Sequence, residues 1–418
     1  MVFCTGLAAQ DTLRMTLDSC LRYAFGHNYQ VVIAELGRES AEATLSGAKM
    51  QFLPSLSASA SQSLGWEDNT TRNGNYGISG SLTLFNGLSN LNNLRQSRVG
   101  AEQSSLKVRQ TESSIGEQIV SAYLTIMMNE EKLAYQQEVV NTSRQQREEG
   151  ELKYRVGRIL ESDYMLLDAN LTSTQAEIEN TRLTIEDNRY VLALLLGYEG
   201  HGVIEVVHAT DSLRSAGCVI SPLDTVMAQA RRTMPDWQIS EMDVRMAEYN
   251  VAMARSAFMP TVSLGGGVSY NEGSIISDNP VTSIKGGLNT SLTLGVSIPL
   301  LNRGTSLTQY RQSKIALRQA ETQHSQTLLE LEEKIENMHL EQRQALNRFH
   351  SAEALAEAYK ASYDVYVVKY GEGAVTTVEM LQQQDRYLSA LNDYLQSKYS
   401  YLMAEKQRDI YTGKEITL

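Results

Sequence analysis

The residues of this chain that could bind a metal ion lack the spacing that such a site requires. The six histidines are scattered, at positions His27, His201, His208, His324, His339 and His350. Zinc sites combine several His or Cys ligands at short, recurrent spacings. His201 and His208 come nearest to this, but they lie in a segment that reads as a surface strand or turn. We therefore expect no metal site.

Nucleophile and phosphate-binding motifs are missing in the same way. Gly265, Gly266 and Gly267 form a glycine run, but it lies inside an alternating strand pattern, without the helix and lysine of a phosphate-binding loop. The sequence shows no Ser-His-Asp or nucleophile-elbow arrangement, and most carboxylates lie on amphipathic helices, where water solvates them. The sequence predicts neither an enzyme nor a cofactor.

Charge and hydropathy narrow the class of partner. The formal net charge is −12, whereas a nucleic-acid-binding face must be basic, so we expect no nucleic acid. No apolar window has the roughly 18 residues that a membrane-spanning helix needs. Membrane-spanning β-strands leave a weaker signal in the sequence, so a β-barrel remains possible at this point.

The N-terminal residues and the cysteines bear on targeting and redox state. Residues 1–10 resemble the remnant of a secretory signal peptide, with a frayed terminus as the alternative. Cys4 could carry a lipid anchor, although the residues before it fit that motif poorly. Cys20 and Cys218 could form a disulfide, but buried free thiols agree better with their separation in sequence.

The sequence contains an internal repeat of about 200 residues. Matching residues lie 206 positions apart at first and 216 positions apart later, so the second copy carries an insertion in residues 271–287. A repeat of this length predicts a pseudo-symmetric fold built from two copies of one unit. The matches include Leu17-Asp18 with Leu223-Asp224, Arg95-Gln96-Ser97 with Arg311-Gln312-Ser313, and Gly197 with Gly413.

Proline usage predicts long helices. None of the six prolines lies in residues 55–221 or 300–418, and these tracts are rich in good helix formers. In the first tract an apolar residue recurs every seven positions, as in a coiled-coil seam. The repeating positions are Ile119, Ile126, Leu133 and Val140. A helix over residues 88–156 would be on the order of 100 Å long.

Each long helix is predicted to turn back at a glycine. Gly157 and Gly373 follow a Tyr-x-x motif at equivalent places, as glycines do at helix ends. A new helix starts soon after each glycine, in the second copy with a capping box between Thr376 and Glu379. Each copy therefore contributes an antiparallel helical hairpin, with tips at about 157–162 and 373–377.

Residues 55–85 and 261–301 change to a period of two, which predicts a β-hairpin in each copy. Leu, Ile and Val alternate there with Ser, Thr, Gly and Asn, and the polar face carries hardly a charge. We expect residues 67–75 and 271–287 to form the connecting loops. These faces are typical of a transmembrane β-barrel, with a soluble β-sandwich edge as the alternative.

Four strands cannot close a barrel in a membrane, where open sheet edges are excluded. Two, three or four copies of the chain would supply eight, twelve or sixteen strands. The small, uncharged inner face favours a wet lumen and at least twelve strands. Trp66 and Tyr76 flank the first loop and are candidates for the aromatic girdle at a membrane boundary, with ordinary loop aromatics as the alternative.

Assembled, these parts resemble the outer membrane efflux protein family, the TolC-like channels of Gram-negative bacteria. The resemblance covers nearly the whole chain, and its motifs are jointly specific although no single one is unique. They are the hairpin starts Phe52-Leu53-Pro54 and Phe258-Met259-Pro260, the junctions Leu84-Phe85-Asn86-Gly87 and Leu300-Leu301-Asn302-Arg303-Gly304, and the tips Tyr154-Arg155-Val156-Gly157 and Tyr370-Gly371-Glu372-Gly373.

The resemblance implies an α+β membrane protein with an internal structural duplication. Four β-strands per chain would contribute to a trimeric 12-stranded outer-membrane β-barrel, continued by a long periplasmic α-helical coiled-coil barrel. Residues 1–10 would be the signal-peptide remnant, 11–215 the first repeat and 216–418 the second.

The implied function is a passive exit duct of a tripartite efflux pump or a type I secretion system. Its partners would be a periplasmic adaptor (membrane fusion protein), an inner-membrane RND or ABC transporter and outer membrane lipid. A non-channel coiled-coil scaffold at the cell envelope is the alternative.

The resemblance also implies functional residues at the tips. Acidic residues after the second tip narrow the family's entrance; one maps onto Glu379, but the other maps onto the uncharged Gln382. Their equivalents in the first copy are Asp163 and Leu166. A periplasmic gate at Asp163, Glu379 and Gln382 would thus hold fewer carboxylates, although a capping role alone would also explain Glu379. The implied adaptor contacts are Tyr154, Val156, Gly157, Arg158, Tyr370, Gly373 and Ala374.

Overall fold

The structure is a computed structural model, and it describes residues 13–66, 70–199, 204–207, 222–276 and 282–414. The expected signal-peptide remnant, together with Cys4, His201, His208 and Cys218, lies outside the described residues. The described ranges form two compact units. One unit contains Met1–Ala34, Val108–Pro235 and Leu329–Leu418, and the other contains Glu35–Lys107 and Asp236–Leu328.

The order helix, helix, strand, strand, helix, helix occurs in each half of the chain. The first half contains β1 (Leu13–Met15), α1 (Leu17–His27), α2 (Tyr29–Met50), β2 (Ser55–Trp66), β3 (Thr70–Asn86), α3 (Ser89–Arg155), α4 (Glu161–Leu196) and β4 (Ile204–Val206). The second half contains α5 (Leu223–Thr233), α6 (Pro235–Ser256), β5 (Thr261–Ile276), β6 (Thr282–Ser297), α7 (Thr305–Glu372) and α8 (Thr377–Thr412). The long helices have 67 and 68 residues, and both returning helices have 36.

Strands β2, β3, β5 and β6 form one antiparallel sheet in that order, so both predicted hairpins are present and β2 and β6 are the edges. One face carries small polar side chains, and the hydroxyls of Ser55 and Ser57 lie 2.8 and 3.0 Å from those of their cross-strand partners. The other face is apolar and open. Leu56 and Leu292 are each 79% exposed there, so the described residues of the chain leave this face without an apolar covering.

The strands extend further than the sequence pattern predicts. Residues 72–75 belong to β3, and residues 271–276 and 282–287 belong to β5 and β6, so the predicted loops 67–75 and 271–287 are wrong in extent. Gly and Asn suggest turns there, but the ladder pairs Asn73 with Gly273. Interstrand hydrogen bonds therefore hold residues extended that locally favour turns.

The other unit is helical, and the predicted heptad seam is confirmed. Ile119 and Ile126 are fully buried and belong to one apolar cluster with Cys20 of α1 and Leu192 of α4. Cys20 is a buried free thiol, and burial raises its pKa to about 12. Strands β1 and β4 pair in parallel beside this cluster. None of the helices in the described ranges has an apolar stretch long enough to cross a lipid bilayer.

Candidate functional site

The two helical hairpins end in the same turn. In the first, the amides of Gly157 and Arg158 donate to the carbonyls of Tyr154 and Lys153 at 2.9 and 2.8 Å. The second hairpin repeats both bonds around Gly373, at 3.1 and 2.9 Å. The φ angles of Gly157 and Gly373 are 73° and 78°, in the left-handed region that favours glycine. The prediction that these glycines end the helices is confirmed.

The capping box predicted at the start of α8 is also confirmed. The amide of Thr376 donates to the carboxylate of Glu379 at 2.8 Å, and the amide of Glu379 donates to the hydroxyl of Thr376 at 3.2 Å. The backbone hydrogen bond from Thr376 lowers the pKa of Glu379. At the start of α4, Asp163 accepts only a longer bond, 3.4 Å, from the amide of Leu160. Leucine cannot return a hydrogen bond, so this helix has half of a capping box.

Six of the seven expected adaptor-contact residues lie on the surface of the tips. Val156 is 70% exposed and Tyr154 is 38% exposed. The other exposed members are Gly157, Arg158, Gly373 and Ala374. Tyr370 differs because it is only 3% exposed and packs inside the helices against Met380. Its side chain therefore supports the second tip from within, and the outer surface consists of the other six residues.

A lysine joins the two tips, and the sequence analysis missed it. The ammonium of Lys153 on α3 donates to the carbonyl of Tyr370 on α7 at 2.7 Å and lies 4.1 Å from the centre of the Tyr370 ring. The carbonyl belongs to the last turn of α7, where a cation also meets the negative end of the helix dipole. The sequence repeats this Lys-Tyr pair, since Lys153-Tyr154 matches Lys369-Tyr370, and that repetition singles out the lysine.

The first tip is braced by a second charged network. Arg147 donates to Asp168 at 3.1 Å, to Glu151 at 2.9 Å and to the hydroxyl of Tyr164 at 2.7 Å. Tyr164 in turn stacks on Tyr154, with the ring centres 5.7 Å apart. These contacts hold α3 against α4 directly behind the exposed turn.

Further from the tips, buried polar side chains join the two hairpins. Ser143 on α3 is 1% exposed and accepts hydrogen bonds from Asn170 on α4 at 3.3 Å and from Gln384 on α8 at 3.1 Å. Asn170 also donates to Gln384 at 3.2 Å. Asn170 is half-buried and Gln384 is fully buried, and polar side chains that satisfy one another in the interior favour a single alignment of the elements that carry them. This cluster therefore fixes the register of α4 against α8.

The expected gate residues lie near the N-termini of α4 and α8. Glu379 and Gln382 are both exposed, and Asp163 is half-buried. Leu166, the first-copy equivalent of Gln382, is 43% exposed. Of the two expected gate positions after the second tip, one therefore presents an exposed carboxylate, Glu379, and the other an exposed neutral amide, Gln382.

The expected girdle aromatics lie on the sheet. Trp66 ends β2 and is 75% exposed, and Tyr76 on β3 is 42% exposed. Tyr76 pairs directly with Tyr270 on β5, which is exposed to the same extent. The alternation of Val268, Ser269 and Tyr270 already indicated that Tyr270 shares the apolar face. Within the described ranges, no group of three His, Cys, Asp or Glu side chains is placed to hold a metal ion.

Comparison with known proteins agrees with this architecture. Residues 21–198 and 226–411 match the outer membrane efflux protein family. The outer membrane efflux protein BepC of Brucella suis is 24% identical over 324 residues, which cover 76% of this chain and 67% of BepC.

Solved structures of low sequence identity share the fold. The outer membrane protein VceC of Vibrio cholerae superposes with a TM-score of 0.79 at 15% identity, covering 95% of this chain and 96% of VceC. The CmeC outer membrane channel of Campylobacter jejuni gives a TM-score of 0.78 at 19% identity, covering 95% of this chain and 85% of CmeC. The two matched ranges together span most of the sequence, and the chain belongs to the outer membrane efflux protein family.

Proposed function

We propose that the chain is an outer-membrane exit duct, through which an energised partner expels cargo from a Gram-negative cell. One observation carries the proposal: a sheet with an uncovered apolar face is joined to two helical hairpins that end in the same turn. The sheet face suits a lipid surround, and the turns offer two equivalent docking points in each chain. Membership of the outer membrane efflux protein family supports the same assignment.

The duct is a trimer in this proposal. Strands β2 and β6 are sheet edges, and an unpaired backbone group in hydrocarbon costs several kcal/mol. Pairing β2 of one copy with β6 of the next removes every edge once the ring closes. Three copies give twelve strands, and the serine-rich face then lines a wet lumen. The long helices continue the lumen as a tunnel in the periplasm.

The proposed domains follow the internal repeat. Residues 11–215 form the first repeat and residues 216–418 the second, each with a β-hairpin followed by a helical hairpin. Two similar units per chain give the trimer pseudo-sixfold symmetry, so an adaptor meets six related tips.

The tips are the proposed site of control. A periplasmic adaptor docks on the exposed tip residues around Gly157 and Gly373 and shifts the helical hairpins. Asp163, Glu379 and Gln382 surround the entrance. Like charges that a trimer brings together repel one another or bind a cation, and Gln382 weakens that effect. The adaptor connects the duct to an inner-membrane RND or ABC transporter.

Electrophoresis and conductance test the proposal together. Protein extracted from membranes with detergent should migrate as a trimer that heat converts to monomer. The same preparation should form ion-conducting pores in planar bilayers. A chain that stays soluble without detergent, or a trimer that never conducts, would favour the non-channel scaffold instead.

A further inference from the structure

The chain carries a belt of positive charge where its helices meet the four-stranded sheet. Four segments join helix to strand there: residues 43–54, 86–101, 249–260 and 298–320. They contain none of the 49 acidic residues of the chain, although its net charge is −12. Seven basic residues nearest the sheet, here called the basic belt, are Lys49, Arg95, Arg98, Arg255, Arg303, Arg311 and Lys314.

Every member of the basic belt is exposed. Among the described residues none of the seven has an ion-pair partner, and Lys314 lies 5.1 Å from the ring of Tyr310. Exposed arginines elsewhere in the chain find carboxylates nearby, as Arg182 does with Glu179 at 2.6 Å. The belt therefore presents charge that only an external anion can neutralise.

The two repeats carry a positive charge at three matched positions, and at two of them lysine and arginine are exchanged. Lys49 matches Arg255 at the offset of 206 residues. Arg95 matches Arg311, and Arg98 matches Lys314, at the offset of 216 residues. Lysine and arginine share charge but differ in hydrogen-bond geometry. Their exchange between the copies indicates an electrostatic requirement rather than a fork that grips one fixed group.

Apolar side chains lie among these cations. Leu300 and Leu301 are 90% and 93% exposed, Leu53 is 65% exposed, and Phe52 and Phe258 are 46% and 48% exposed. All five lie within four residues of a strand end. Exposed apolar and basic residues without acidic ones are the composition of a surface that lies at the boundary of an anionic membrane.

We infer that the basic belt binds the anionic headgroups of phospholipids in the leaflet that meets the helical end of the sheet. The inference rests on the proposed function, since it requires the sheet to lie in a bilayer. Arg95 and Arg311 each lie six residues into their helices, about 9 Å along the axis. That distance is within about one Debye length of the sheet, so headgroup phosphates there attract these two arginines and the belt cations that lie closer to the strands. Arg98 and Lys314 lie nine residues in, about 13.5 Å along the axis, and the headgroups attract them more weakly.

Lipid retention tests the inference directly. The triple variant Arg95→Gln, Arg255→Gln, Arg311→Gln removes three belt charges. The control variant Arg144→Gln, Arg343→Gln, Lys360→Gln removes three exposed cations from helices of the other unit. Each protein is reconstituted with equal phosphatidylglycerol and phosphatidylcholine, extracted gently, and the retained lipids are counted by mass spectrometry.

The wild-type protein and the control variant should retain phosphatidylglycerol over phosphatidylcholine by a factor on the order of three to ten. The belt variant should lose most of this preference, as should the wild type in about 1 M salt. An equal preference in the belt variant and the wild type overturns the inference.

Single-channel recordings of the same preparations distinguish a failure of the proposed channel function from a failure of the proposed lipid binding. Absence of conductance in the wild type contradicts the proposed function. Conductance without phosphatidylglycerol preference contradicts only the lipid-binding role. If the belt variant alters anion-over-cation selectivity while lipid preference is unchanged, the cations line the pore, and the inference is wrong.

Discussion

At the residue scale, the two tips share a backbone turn but differ in their charged groups. Glu379 is held by Thr376 through bonds in both directions, whereas Asp163 accepts one long bond. Glu379 is followed by exposed Gln382, and Asp163 by exposed Leu166. An adaptor that recognises the shared turn would therefore meet two different electrostatic environments around the ring.

The glycines at the tips should be required for their backbone conformation. Gly157→Val or Gly373→Val places a β-branched side chain at φ 73° or 78°, which costs on the order of 1–2 kcal/mol and deforms the turn. Adaptor crosslinking and drug resistance should fall, while trimer assembly is retained.

Gly371→Val is the matched control for these substitutions. It adds the same side chain two residues from Gly373, in open space and without a left-handed backbone. Unchanged crosslinking in both tip variants, or an equal loss in the control, would show that the turn conformation is not what the adaptor recognises.

The charge at the entrance should depend on Glu379 and Gln382. Glu379→Ala should reduce cation preference, and Gln382→Glu should increase it, in single-channel recordings at neutral pH. Because the pKa of Glu379 lies below its ordinary value of 4.5, its charge and its stabilising cap persist above that pH. Both are lost as the pH falls through the lowered pKa. Recordings that neither substitution alters would remove both residues from the gate.

At the element scale, the sequence predicted what periodicity and local chemistry control. Ile119 and Ile126 mark the buried seam of α3, and Thr376 with Glu379 marks the start of α8, because both signals are contained in a few neighbouring residues. Strand ends were missed because pairing across the sheet overrides the turn preference of residues such as Asn73. Burial of Tyr370 and its contact with Lys153 depend on a second hairpin that a local motif does not describe.

Lys153 should hold the two helical hairpins together at their tips. Lys153→Met removes a charged hydrogen bond to the carbonyl of Tyr370 and a cation–π contact, together worth about 1–2 kcal/mol. Amide hydrogen exchange at both tips should accelerate. Lys369→Met is the control, because Lys369 lies over Tyr366 of its own helix. Equal exchange in the two variants would argue against a link between the hairpins.

The strand-to-helix junctions should be strained at one residue in each repeat. Gly87 and Leu88 have φ of 66° and 68°, and Arg303 and Gly304 have φ of 56° and 79°. Each junction therefore has two consecutive residues in the left-handed region, of which only one is glycine. The glycine is the first of the two in the first repeat and the second of the two in the second repeat. Leu88→Gly should raise the free energy of unfolding by about 1 kcal/mol, after the entropic cost of glycine is subtracted.

Two alanine substitutions provide the comparison at the same junctions. A Cβ at position 87 would lie 2.8 Å from the Cβ of Met259, whereas one at position 304 meets nothing within 4 Å. Gly87→Ala should therefore lower the thermal midpoint more than Gly304→Ala, which adds only backbone strain of about 1 kcal/mol. Equal losses would mean that the contact with Met259 relaxes without cost.

At the scale of the whole molecule, we propose that two further copies of the chain complete the sheet. The apolar face of the sheet suits contact with lipid. In lipid the unpaired backbone groups of the edge strands β2 and β6 must find partners, and neighbouring copies can supply them. In the proposed trimer, the internal repeat would give the closed ring nearly sixfold symmetry while its two kinds of tip stay distinct.

Cysteine crosslinking between β2 of one copy and β6 of the next tests the closed trimer. In a background with Cys4, Cys20 and Cys218 replaced by serine, one cysteine is placed on β2 at Ser57, Ser59 or Ser61 and another on β6 at Asn289, Ser291 or Thr293. After oxidation in the membrane, at least one pairing should give a covalent ladder that ends at three chains. A ladder that stops at two chains or continues beyond three, or no crosslink in any pairing, would contradict the twelve-stranded trimer.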